Sequence, residues 1–508
     1  MDIFNGIASG FEVVFQPNNL LYCLIGVVIG MLIGVLPGLG TVATISVLLP
    51  ITFGLPPETA IIMIAGIFYG AQYGGTITSV LLRLPGEASA VVTTFDGYQM
   101  ARRGRAGAAL GIAAIGSFIG GTLAIVGLSL LAPVVAAFAL DFGPPEYAVL
   151  ALAGILLVSS FGSGSAWKCI VSATIGLLMA SVGRDLFTGV DRFTLDSPQL
   201  ADGIDFAALV MGLFGLGEVL YDLERRIKGN SAPTPKVKNA WITGTDWVQS
   251  RMAIARGTLI GFILGVLPGG GATLSSMVSY AAEKRAAKDP SRFGKGAIEG
   301  VAGPESANNA AATSSFIPLL TLGIPANATM AIIYGALLLQ GIAPGPQLIS
   351  EHPDVFWGVI DSMWIGNILL LIMSIPLVRL FIKILQVRAS IMAPITVMII
   401  LIGAYSVRNS IFDLWIVIAF GLLGFLMKKF GFEPGPLVLA FVLGNLLETS
   451  FRQSLQLLDG SLFGFFARPI SGTLLVLMIA VPFLVMAVRL FLRKRVAQTD
   501  LQKEYENA

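Results

Sequence analysis

Apolar residues run along this chain in stretches longer than a soluble core element needs, and short clusters of charge separate them. A helix crosses a bilayer in about 20 apolar residues. Stretches of that order lie at Asn19–Phe53, Thr59–Leu84, Ala108–Leu131, Tyr147–Phe161, Phe206–Leu223, Gly257–Ala282, Ala310–Leu339, Phe356–Leu385, Ile391–Tyr405, Ile411–Met427 and Leu474–Leu490. Shorter ones lie at Ile170–Val182 and Pro436–Leu447. The pattern predicts an all-α polytopic membrane protein. Followed span by span, the basic clusters fall on one side: Arg102, Arg103 and Arg105; Arg225 and Arg226; Lys284, Arg285 and Lys288; Lys428 and Lys429; Arg493, Lys494 and Arg495. By the positive-inside rule that side is the cytoplasm, so the N-terminus is expected to face outward and the C-terminus inward, to the cytoplasm.

One stretch occurs twice. GVVIGMLIGVLPGLGTVATIS, from Gly26, returns as GTLIGFILGVLPGGGATLSS, from Gly257. Gly26, Gly30, Gly34 and Gly38 align at a constant offset with Gly257, Gly261, Gly265 and Gly269, as Pro37 does with Pro268. Each copy reads as a re-entrant hairpin or pair of half-helices, broken at its Pro-Gly step. Each is followed by a companion segment, LLRLPGEAS at Leu81–Ser89 and LTLGIPANAT at Leu320–Thr329, with Pro85 against Pro325. Five crossings separate the hairpins, and an odd number inverts the second. The predicted organisation is two inverted-topology repeats, 1–223 and 257–450, each a hairpin plus about five spans. A polar cytoplasmic linker at 224–256 divides them, and 451–508 adds a C-terminal helix and tail.

Composition narrows the class further. Of 508 residues, 55% are hydrophobic and 12% charged, against about 45–50% and about 25% in soluble domains. The 32 basic and 30 acidic residues give a net charge of +2, so no global field points to nucleic acid. Two cysteines in apolar runs and a single histidine argue against a disulfide framework and a His-based metal site. The N-terminus lacks the basic segment of a cleaved signal peptide, so its first apolar run is expected to be retained. No phosphate-binding G-x-x-x-x-G-K-[ST] occurs, so the chain is not its own ATPase. No cofactor is expected.

The chemistry lies in the breaks. Backbone N–H and C=O groups freed inside a membrane must line a cavity or pack against protein. Freed carbonyls and hydroxyls suit a hard cation, and half-helix N-termini suit a carboxylate. The candidate substrate-binding residues are Gly38, Gly40, Thr41, Thr76, Ser79, Gly86, Ser89, Gly270, Thr273, Asn308, Thr313, Ser314, Ala326, Asn327 and Thr329. A candidate Na+ set is Pro37, Gly38, Thr44, Gly269, Ser275 and Asn309. Rival structural readings stand beside these. Glycines four apart are first a helix-packing device, and hydroxyls after a break also serve as caps or bond back to the preceding turn. Glu87 and Glu305 are candidate proton or cation carriers or solvated loop ends. Arg83 either meets a substrate carboxylate or snorkels. The reading is a secondary transporter with its site between the two hairpin tips; the alternatives are an ion channel and a membrane-embedded enzyme. An enzyme would need a cluster of strong acids, bases or metal ligands that the chain lacks.

YGGTITSVLLRLPGEASAVVTTFDGYQMARRGRAGAAL, Tyr73–Leu110, resembles the signature of the large membrane subunit (TctA family) of tripartite tricarboxylate transporters. GPESANNAAATSSFIPLLTLGIPANATMAIIYGALLLQGIAPGPQL, Gly303–Leu348, resembles that family's second signature. With the two GVLPG copies, the resemblance covers nearly the whole chain. It implies a bacterial inner-membrane protein working with a small membrane subunit and a periplasmic solute-binding protein. It further implies uptake of an organic acid, a di- or tricarboxylate, driven by a gradient of Na+ or H+. A homodimer is a further expected partnership. Ala326 stands where many relatives are expected to carry glycine, and its methyl group would narrow a pocket beside Asn327.

Overall fold

Proline and glycine decide where the helices stop. The computed structural model describes residues 3–35, 40–83, 86–161, 165–226, 242–374, 376–377, 380 and 389–480. Almost everything described is helical. The first elements are α1 (Ile3–Val14), α2 (Pro17–Gly34), α3 (Gly40–Leu48), α4 (Pro57–Leu82), α5 (Thr93–Met100), α6 (Ala106–Ala139), α7 (Pro144–Phe161) and α8 (Ala166–Ala180). After a two-residue antiparallel ladder pairing Gly183–Arg184 with Asp191–Arg192 come α9 (Phe206–Val210) and α10 (Gly217–Arg226), joined by a π turn. The next group is α11 (Gly244–Val266), α12 (Gly271–Ala286), α13 (Glu299–Ser314), α14 (Phe316–Leu322), α15 (Ala328–Leu339) and α16 (Leu348–Glu351). The last long helices are α17 (Pro353–Ser374), α18 (Ala389–Arg408), α19 (Ile411–Lys429) and α20 (Pro434–Leu457).

Among the described residues, seven helices are long and apolar enough to cross a membrane. The chain is a multi-pass membrane protein. It divides into two compact units, Met1–Leu140 with Gly154–Gly444, and Asp141–Ala153 with Asn445–Ala508. Both copies of the repeated stretch lie within the first unit. In the second, Arg468 clasps Glu146 through Nε at 2.8 Å and Nη2 at 3.2 Å, and Phe465 packs with Ala148 and Val149.

The glycine ladders pack backbone to backbone. A Cβ added at Gly26, Gly30 or Gly34 of α2 would fall on the carbonyls of Met63, Ile67 and Ala71 of α4. One added at Gly257, Gly261 or Gly265 of α11 would fall on those of Gly303, Ala307 and Ala311 of α13. Lipid supplies no hydrophobic drive between helices, so close approach of small residues takes its place. The same device thus recurs in both copies, with the packing role seen directly.

The charge pattern assigns residues 1–19 a side of the membrane but no structure; most of them form α1, which lays Gly6 and Gly10 against Trp357 and Asp361 of α17. Two predicted stretches differ. Ala310–Leu339 is expected as one crossing, yet it is interrupted between α14 and α15. There Gly323 takes φ 67° and Pro325 follows, a combination that cannot continue a helix. Gly86–Gly107 is expected as a cytoplasmic loop, but α5 buries Thr93, Thr94, Asp96 and Gly97. The Pro436–Leu447 stretch lies in the N-terminal part of the 24-residue α20. Linker residues 227–241 and the tail beyond 480 lie outside the described residues.

Candidate functional site

Each break in the repeated stretch ends one helix and starts another within a few residues. In the second copy α11 stops at Val266 and α12 begins at Gly271, which takes φ 47°, while Gly269 takes φ 79°. In the first copy α3 begins at Gly40, the position equivalent to Gly271, with φ 58°. A left-handed backbone at both sites favours glycine, and in the second copy it lets α12 follow α11 without a long loop. Arg256 of α11 grips Glu283 of α12 through Nε at 2.8 Å and Nη2 at 2.6 Å, clipping that hairpin together.

Each break then meets its own companion segment. The Gly269 N–H donates to the Ala326 carbonyl at 2.8 Å, and a Cβ on Gly271 would touch Asn327 at 4.0 Å. In the first copy the Thr41 hydroxyl donates to Glu87, as does Ser89. Glu87 and Asn327 are equivalent positions of the two companions. Gly86 lies so close to Gly34 and Gly75 that a side chain there would collide with backbone. The halves also interlock: α3 touches α15, and α12 touches the 3-10 turn Ala88–Val91.

The polar centre lies between α4, α5 and α13. Glu305, 1% exposed, accepts from the Thr76 hydroxyl of α4 at 2.9 Å and from Thr93 of α5. Glu305 is therefore not a solvated loop end. Asn308, one turn on and also 1% exposed, faces the Glu305 carboxyl, and neither atom of its amide makes a hydrogen bond of good geometry among the described residues. Gln72 Oε1 and the Tyr73 hydroxyl of α4 are likewise buried without a close hydrogen-bond partner among the described residues. Asn309 turns away, donating to Ser117 Oγ at 2.7 Å and to the Glu305 carbonyl at 3.1 Å. A buried carboxyl ringed by neutral hydroxyls and amides can hold a proton or a small cation, and unpaired amide groups can receive a carboxylate.

The remaining predicted residues mostly bond locally. Thr44 donates to the Gly40 carbonyl and Ser275 to the Gly271 carbonyl, each at 2.7 Å; Ser79 donates to Gly75 at 2.9 Å. Ser314 leans on Ala311 at 3.3 Å. The Gly270 N–H closes the turn onto Leu267 at 2.9 Å. Asn327 caps α15 by accepting the Met330 N–H at 3.0 Å. Thr313 and Thr329 are buried, and Thr273 is half-buried. Arg83 is exposed, with its guanidinium 6.0 Å from the Tyr98 ring centroid. Pro37 and Gly38, with Pro85, lie outside the described residues.

Sequence reasoning passes over Gln72, Tyr73, Thr93 and Asp96. Asp96, wholly buried, accepts the backbone N–H groups of Gly296 at 2.6 Å and Ala297 at 2.8 Å, and the Tyr280 hydroxyl at 2.9 Å. A legible signal exists for Asp361, an acid inside the apolar run of α17; such residues are expensive in a membrane. Among the described residues no group of His, Cys, Asp and Glu could hold a metal ion through three or more of them.

The family model described as "Tripartite tricarboxylate transporter TctA family" matches residues 20–439. The "Uncharacterized 52.8 kDa protein in TAR-I ttuC' 3'region" of Agrobacterium vitis is 48% identical over 475 residues, 94% of this chain and 94% of its own. From the same organism, the "Uncharacterized protein in TAR-II ttuC' 3'region" is 53% identical over 215 residues, 42% of this chain and 89% of its own. No solved structure matches.

Proposed function

Because the chain belongs to the tripartite tricarboxylate transporter TctA family, a family of transport-system components, we propose that it is the large subunit of an ion-driven organic-acid uptake system in which Glu305 carries the coupling cation. The observation behind this reading is the burial of Glu305 between helices of both halves, with hydroxyl donors on each side and the unpaired amide of Asn308 beside it. An ionised Glu305 repels an arriving carboxylate. A proton or Na+ on Glu305 removes that repulsion, so substrate and cation favour the same state. A ligand shifts a conformational equilibrium only through such differential affinity.

In this reading the periplasmic solute-binding protein delivers a di- or tricarboxylate at the inner membrane, and the small membrane subunit completes the assembly. The acid is received near Asn308 and the breaks at Gly40 and Gly271. Alternating access comes from movement of the hairpin-bearing elements against the other helices. The N-terminus is periplasmic and the C-terminus cytoplasmic.

The test is uptake of labelled organic acids by vesicles holding all three components. Collapsing the Na+ and H+ gradients is expected to stop accumulation, and Glu305→Gln to make residual uptake insensitive to the gradient. Accumulation that survives without a gradient refutes the coupling. Normal gradient response in Glu305→Gln refutes the role of Glu305.

A further inference from the structure

The loop between α12 and α13 and the turn between α5 and α6 enclose a second concavity, separate from the polar centre. This pocket, of about 350 Å3, is lined by Arg103, Arg105, Arg292 and Lys295, with Gln249 and Ser291 in its wall, and none of its lining residues is acidic. Two of the four cations are balanced from outside the lining, Arg105 by Asp246 and Arg292 by Glu299. Arg103 and Lys295 make no direct ion pair among the described residues, although Asp289 of the same loop lies within electrostatic reach of Arg292 and Lys295.

The cations converge because the backbone holds them there. Asp96 ties the Gly296 and Ala297 amides to α5, which fixes the loop immediately after Lys295. Arg103 stands on a π turn in which Gly104 takes φ 78°, and its Nη1 lies 3.6 Å from where a Cβ on Gly296 would stand. Ordinary surface lysines and arginines spread apart into water. With Arg105 and Arg292 already paired, Arg103 and Lys295 leave the concavity with a surplus of positive charge, and a bound anion relieves their repulsion. Guanidinium forks also match the paired oxygens of carboxylate and phosphate groups.

We propose that this pocket binds a small multivalent oxyanion, a polycarboxylate or a phosphate group, at the end of the protein that the basic clusters assign to the cytoplasm. The same chemistry is offered by a free organic anion and by the headgroup of an anionic phospholipid.

The full chain in nanodiscs of neutral phosphatidylcholine is titrated with citrate and with inorganic phosphate. A parallel sample in phosphatidylglycerol is examined by native mass spectrometry for retained lipid. Binding of either soluble anion in the neutral discs assigns the pocket to a free anion. Retained phosphatidylglycerol without soluble-anion binding assigns it to a headgroup. In either arm Arg103→Gln with Lys295→Gln is expected to weaken binding by about tenfold or more, Lys295→Arg to keep it, and Lys288→Gln, outside the lining, to leave it unchanged. Lys295→Gln alone covers the case in which Arg103→Gln does not fold. Equal behaviour of parent and variants towards citrate, phosphate and anionic lipid overturns the proposal. Equilibrium binding needs neither a gradient nor the other subunits, so that failure would leave the transport reading untouched.

Discussion

The Thr76 hydroxyl stands 2.9 Å from Glu305 Oε2, across 229 positions of sequence. Each half of the chain supplies one member of the pair. A hydrogen bond to a buried charged group contributes about 1.5–3 kcal/mol. Thr76→Val is therefore expected to shift the Na+ or H+ concentration for half-maximal uptake by about tenfold or more, with the protein still inserted. Thr93→Val should act in the same direction. An unchanged ion dependence in both variants would show that these hydroxyls do not tune the carboxyl.

Glycine spacing makes a second, purely structural prediction. Gly261→Leu places a side chain on the Ala307 carbonyl and is expected to destabilise by about 3 kcal/mol. Gly54 has nothing within 4 Å of an added Cβ, so Gly54→Ala should stay within about 0.5 kcal/mol. Thermal unfolding of the purified protein compares them. Equal midpoints would remove the close-packing account.

Asp361 is wholly buried, and neither carboxylate oxygen has a partner among the described residues. An uncompensated carboxylate is costly to bury, so Asp361→Asn should raise the unfolding midpoint at neutral pH. Gly10→Ala, whose methyl would press on the Asp361 carboxylate and the Trp357 carbonyl, should lower it, at about 1–3 kcal/mol. A fall in Asp361→Asn would mean that the carboxylate is compensated after all.

At the start of α11, Thr243 and Asp246 form a reciprocal capping box, and Arg105 bridges to Asp246. Burial works to raise the Asp246 carboxyl, but the Thr243 backbone N–H and the Arg105 guanidinium together hold it below the usual carboxylate range. A depressed folded value stabilises the protein above the unfolded value of about 3.9, and that contribution is lost as pH falls through the folded value. Asp246→Ala should remove about 1 kcal/mol at neutral pH and flatten the acid dependence of hydrogen exchange at the first amides of α11. Unaltered exchange at both pH extremes would contradict this.

What was legible in the sequence was whatever depends on local chemistry. The Pro268-Gly269 step marks where α11 ends, while the left-handed backbone at Gly40 and Gly271 is a detail the pattern alone does not assign. The Pro325 segment reads as a companion motif inside one span because its apolar flanks hide the interruption. Partners across the fold were not legible. Nothing near Glu305 in sequence announces Thr76 or Thr93, and nothing near Asp96 announces Tyr280 or the Gly296 amide. Amphipathic α1 is not legible because a 12-residue helix is too short to register as a span, and its glycines matter only against Trp357 and Asp361.

A seam in which glycine faces carbonyl, with no side chain between, resists shear. In α2 and α4, or α11 and α13, one helix can slip past the other only by about 6 Å, the rise of four residues; any smaller step wedges a methylene or a β-carbon against peptide oxygen. Each such couple travels as one girder. In the transport cycle proposed above, the displacement is then taken up where the girders are jointed, at the short left-handed glycine elbows.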